Sequence, residues 1–162
     1  MTLRKAELKD FAQYSALYCN SSYQVLYLSN DSETGIIEKE TESIIDILGI
    51  DITSINSKYE NFSEEEFEKQ LMDKKIFLIE DNGQIIGYIS LFLIKKRSYR
   101  IDELAMIHMC DTSTLQDIIE DITSKIPSVK EISVFPSNNK VKEMLDMLGF
   151  EKDRGGIYSK RA

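Results

Sequence analysis

From Tyr99 to Ile122 the chain reads YRIDELAMIHMCDTSTLQDIIEDI: an apolar run, a short polar turn, then apolar positions at helical spacing. Leu115, Ile118, Ile119 and Ile122 form the i, i+3, i+4, i+7 stripe of a helix packed on a sheet. A strand running into a helix predicts an α/β domain. The turn between them frees backbone N–H groups at the positive end of the helix dipole, where a ligand phosphate is commonly held.

The same patterning orders the rest of the chain. Thr2 to Lys5 reads as an opening strand, followed by a helix with Leu8, Phe11, Ala12, Ser15 and Tyr18 on one face. Tyr23 to Leu28 fits either strand or helix, and Asn30 to Gly35 is rich in turn formers. Ile37, Ile44, Ile45 and Leu48 suit an amphipathic helix closing at Gly49. Ser63-Glu64-Glu65-Glu66 is a capping-box pattern, with Phe67, Leu71 and Met72 turned inward behind it. Ile76 to Ile79 and Ile85 to Phe92 read as strands joined by a tight Asp81-Asn82-Gly83 turn. Their near-continuous apolar character implies a sheet covered on both faces. Lys95 to Arg100 reads as a basic turn. Val129 to Phe135 reads as a strand, and the next helix has Val141, Met144, Leu145 and Leu148 inward and stops at Gly149. Phe150 then re-enters the sheet, and Ile157 to Lys160 makes a last short strand. No repeat or linker divides residues 1–162, which read as one domain.

Composition narrows the function. A chain of 162 residues, 42% apolar and 30% charged, supports a core without a disulfide or metal staple. The net charge of −8 argues against nucleic-acid or anionic-membrane binding and mildly favours a cationic substrate; a solubilising excess of acid is the better explanation of it. Cys19 and Cys110 lack metal-ligand spacing, and the one histidine, His108, leaves little for a His-based metal site. The expected setting is cytoplasmic, with no metal.

The element order, together with Leu3 to Phe11, Asp81 to Ile89, and Asn138 followed eleven positions later by Gly149-Phe150, resembles the GNAT superfamily of acyl-CoA N-acyltransferases. The resemblance implies a mixed, mostly antiparallel central sheet flanked by helices on both faces. It also implies N-acyl transfer from acetyl-CoA to a primary amine of a small molecule or peptide, by direct attack in a ternary complex. The pantetheine arm would bond the backbone of Leu104 to Ile107, with Met106 where the family usually has valine, and the pyrophosphate would sit on the following turn.

That turn departs from the family pattern Gln/Arg-x-x-Gly-x-Gly/Ala. It reads Cys110-Asp111-Thr112-Ser113-Thr114-Leu115, with no glycine and no base. Thr112, Ser113 and Thr114 hydroxyls and the helix end could still hold phosphate, while Asp111 or Thr112 could equally be an N-cap. The family's tyrosine acid is replaced by Leu145, leaving Tyr158, water, or no acid at all, since a thiolate leaves readily. Ser137 or Asn138 could bond pantetheine or cap the helix. Glu103 is the general-base candidate, able to take a proton from an ammonium; an ion pair with Arg100 or a lysine is the alternative. Strand alternation would put Asp102 and Glu103 on opposite faces. His108 is a second base candidate or a structural residue. The acid-rich span 23–61 and the basic turn would frame the acceptor site. A sheet edge or the C-terminal strands would carry a homodimer. An inactive GNAT-fold binding or regulatory module is the competing reading.

Overall fold

The computed structural model describes residues 1–19, 24–27, 36–38, 62–107, 110–136 and 139–162. Within them, strands β1 (Thr2–Lys5), β2 (Gln24–Tyr27), β3 (Ile36–Glu38), β4 (Lys75–Asp81), β5 (Gln84–Lys95), β6 (Ser98–Met106), β7 (Glu131–Val134), β8 (Glu151–Lys152) and β9 (Tyr158–Arg161) form one sheet. Seven lie in the order β1-β4-β5-β6-β7-β9-β8, and the β2–β3 hairpin attaches to β6. Every pairing is antiparallel except β6 with β7. Helices α1 (Phe11–Cys19), α2 (Glu64–Asp73), α3 (Thr112–Lys125) and α4 (Asn139–Met147) cover it.

Adjacent residues of a strand point to opposite faces, which divides the core in two. Ile76, Leu78, Tyr88 and Ala105 pack with Tyr14, Leu17 and Phe67 of α1 and α2. Phe77, Ile79, Ile89, Leu104 and Met106 pack with the stripes of α3 and α4 on the other face. The sheet is therefore covered on both sides, as the apolar runs of β4 and β5 require.

Local chemistry explains the joints. Asn82 and Gly83 both have positive φ (51° and 78°), the geometry of a two-residue hairpin turn between β4 and β5. Ser63 Oγ accepts the Glu66 amide at 3.2 Å and starts α2. Gly149, at φ 82°, ends α4, where the Phe150 amide bonds the Leu145 carbonyl. At Gly87 a Cβ would stand 2.4 Å from the Ala105 carbonyl oxygen, so only glycine lets β5 lie this close to β6.

Several expectations are corrected. Tyr14 and Leu17, not Leu8 and Ala12, face the core from α1, because Leu8–Asp10 forms a 3-10 turn and the α-helical phase starts only at Phe11. Ile37 lies in strand β3, not in a helix. Met72 is exposed, one position past the buried stripe of α2. The basic turn shrinks to Lys96-Arg97, with Ser98 to Arg100 already in β6. The segment Tyr23 to Leu28, open between strand and helix, holds strand β2. The turn-rich Asn30 to Gly35 and the stripe Ile44, Ile45, Leu48 with Gly49 lie outside the described residues.

Candidate active site

The site is built where two parallel strands part. β6 and β7 pair only at Ser98–Glu131, Tyr99–Ile132 and Arg100–Ser133. β7 then continues along β9 to Val134, while β6 runs past its pairing with β7 to Met106, still paired with β5 on its other edge. The Arg100 Nε–H donates to Ser133 Oγ at 3.3 Å, and the Ser133 hydroxyl donates to the Tyr99 carbonyl at 3.5 Å. These bonds tie the fork at its base. The gap opens toward the carboxyl ends of the strands, where α/β sheets hold ligands.

Beyond the fork the free edge of β6 is taken by β2. Gln24 stands opposite Met106, Val25 opposite Ala105, Leu26 opposite Leu104 and Tyr27 opposite Glu103. Leu104 and Met106 are buried, and the Ile107 amide bonds the Ile86 carbonyl at 2.9 Å. The backbone edge that the family resemblance assigns to pantetheine is thus a strand-pairing edge in this fold.

Glu103 is buried on the face of α1 and α2, with 9% of its surface exposed. The Tyr88 hydroxyl donates to its carboxylate. Tyr88 is itself enclosed by aromatic rings, with Tyr14 at 4.8 Å and Tyr18 at 6.3 Å between centroids. Alternation fails just before Glu103. Ser90 pairs with Glu103 but Leu91 pairs with Ile101, so Asp102 is the extra residue of a bulge. Ile101 and Leu104 consequently share the α3/α4 face, and the expected opposition of Asp102 and Glu103 does not follow from a regular strand. Asp102 Oδ2 instead takes Lys74 Nζ at 2.6 Å.

Past β6, Asp111 is the N-cap of α3. Its carboxylate accepts the Thr114 amide at 2.8 Å. Hydrogen bonds from the Thr114 amide and hydroxyl hold this exposed carboxyl below the usual range. Thr112 and Thr114 are half-buried and Ser113 is exposed in the first turn. Burial, with the Asp111 charge adding to it, pushes the Cys110 thiol up to about 12. Leu145 is fully buried, as its stripe position requires. Tyr158 is buried in the α3/α4 core, and desolvation raises its pKa, the Asp146 charge adding to the shift. Glu103 and Tyr158 therefore serve opposite sides of the sheet. His108, Ser137 and Asn138 lie outside the described residues.

Sequence reading missed Tyr88 and Ser133 as partners of this site. Tyr88 was legible in principle: counting back from a two-residue Lys96-Arg97 turn places it opposite Ala105, diagonal to Glu103. Reading Lys95 to Arg100 as one long turn hid that register.

No family model matches the chain, and no curated relative does either. Solved structures match over nearly its full length. The PaiA N-acetyltransferase from Thermoplasma acidophilum, in complex with coenzyme A, aligns at 17% identity and a TM-score of 0.59, covering 99% of this chain and 98% of that one. A mutant of the spermidine N-acetyltransferase SpeG from Vibrio cholerae aligns at 18% identity and 0.57, covering 99% and 92%. The ribosomal-protein-alanine N-acetyltransferase from Brucella melitensis aligns at 14% and 0.55 over the whole of both chains. The chain has the GNAT fold.

Proposed function

We propose that the protein is an acetyl-CoA-dependent N-acetyltransferase whose acceptor is a primary amine. The observation that carries this reading is a buried carboxylate, Glu103, on the strand whose edge runs beyond the parallel fork. Acetyl-CoA supplies the activated thioester. The edge of β6 from Leu104 to Met106 suits an extended amide-bearing arm, because it already accepts a strand, whereas the Ile107 amide is taken by the Ile86 carbonyl. The turn suits a pyrophosphate less well, since the Thr114 amide is filled by Asp111. Glu103, oriented by Tyr88, takes one proton from the acceptor ammonium; the amine nitrogen then bonds the thioester carbonyl carbon, the carbon–sulfur bond breaks, and the second nitrogen proton passes to the departing sulfur, so that CoA leaves as the thiol. The acceptor class, small molecule or peptide, follows the aligned enzymes, whose names include spermidine and a protein alanine. A homodimer and a cytoplasmic setting belong to the same reading.

The competing reading, a GNAT-fold binding module without turnover, has its own support in the β2-covered edge and the Asp111 cap. An acetylation screen over polyamines, aminoglycosides and peptide N-termini, following release of free CoA thiol, separates the two. Turnover that falls about 10²- to 10⁴-fold in Glu103→Gln, with the KM for acetyl-CoA unchanged, supports the enzyme. Turnover unaffected by Glu103→Gln removes Glu103 from the chemistry, and no turnover with any amine favours the binding module.

A further inference from the structure

We propose that β2 is an intramolecular occupant of the acyl-CoA edge, which the pantetheine arm must displace in order to bind. The inference rests on the reading of that edge as the pantetheine site. It starts from the pairing of Gln24–Tyr27 with Glu103–Met106, the part of β6 that lies beyond the fork with β7. An open edge there would present unpaired N–H and C=O groups, which template further strand addition. β2 satisfies them from within the chain.

The attachment is short. β2 pairs with β6 over four residues and with β3 over three, and among the described residues β6 is the strand of the main sheet with which the hairpin pairs. A two-stranded ribbon is marginal by itself, so this unit separates from β6 more readily than any strand of the meander. The other expected anchor is filled in the same way, with Asp111 on the Thr114 amide. Both polar contacts of a bound acyl-CoA would thus replace internal ones. The apparent affinity for acyl-CoA is then the intrinsic affinity reduced by the fraction of molecules with β2 off the edge.

Successive residues of a strand aim their N–H groups at opposite edges, so of Val25 and Leu26 one donates toward β6, and proline removes that donor. The test is calorimetric titration of CoA into the full chain and into the Val25→Pro, Leu26→Pro double variant, with the circular dichroism melt of each. The proposal expects the variant to bind CoA at least tenfold more tightly. Equal affinity overturns the displacement and leaves the acyltransferase reading standing; no binding by either protein overturns both. Hydrogen exchange on the unaltered protein at saturating CoA is independent of how the variant folds. Amides of Gln24–Tyr27 should lose protection while those of Leu104–Met106 keep theirs. Protection retained in β2 at saturation overturns the proposal.

Discussion

The Asp10 carboxylate is buried at the start of α1, where it accepts Arg4 Nη1 and Nη2 at 3.0 Å each and the Glu7 amide at 2.8 Å. The Arg4 fork is the largest reason its pKa lies below the usual carboxylate range, desolvation opposing it. A carboxylate depressed in the folded state stabilises the protein fully above its unfolded pKa of about 3.9, and that contribution is lost as pH falls through the folded value. Asp10→Asn should therefore cost about 1–3 kcal/mol at neutral pH and flatten the acid limb of stability against pH, read by urea melts from pH 7 downward. An unchanged acid limb would mean that other carboxylates carry it. Tyr88→Phe leaves the buried Glu103 without that hydroxyl donor and should lower the unfolding free energy by about 1–3 kcal/mol on the same assay. At this scale the sequence was half legible. The Asp111 cap was one of two open readings because a carboxylate before a helix has a local use. The Tyr88 partnership was not read, because it depends on cross-strand register.

Elements were more legible where their periodicity is strong. α3 and α4 bury the stripes expected of them because residues three and four apart must share a face whatever the neighbours do. α1 was misphased because the 3-10 turn at Leu8–Asp10 advances the chain differently from an α-helix. The bulge at Asp102 has no signature in composition, and it sets which face Glu103 occupies. β2 was ambiguous because four residues are too few for a period to declare itself. The close approach of β5 to β6 provides a test at this scale. Gly87→Ala puts a methyl against the Ala105 carbonyl, and the strands must separate. Thermal melting should register a loss of about 1–3 kcal/mol, with acetyl-CoA binding weakened as the β6 edge shifts. A variant as stable as the parent would mean that the strands part without cost.

Across the whole molecule, two cores on the faces of one sheet hold the meander β4–β5–β6 rigid, and the side proposed for acyl-CoA is the short-paired side. Fold was readable because the order and spacing of elements constrain topology over all but residues 23–61, which the resemblance leaves unmatched. Acceptor identity was not, because the acid-rich span 23–61 falls largely outside the described residues and charge alone does not define a substrate. Cys110 is a second whole-molecule probe: buried, with its thiol near 12, it should resist iodoacetamide at pH 8 in a Cys19→Ser background until the core unfolds. Labelling of the folded protein at the rate of a free thiol would mean that the β6–α3 junction is open. The account turns on acyl-CoA binding at that junction. Calorimetric titration of acetyl-CoA into the full chain, repeated with Asp111→Gly, tests it most directly: saturable binding that tightens when the carboxylate is removed is the predicted result, and no saturable binding by either protein up to millimolar acetyl-CoA would contradict it.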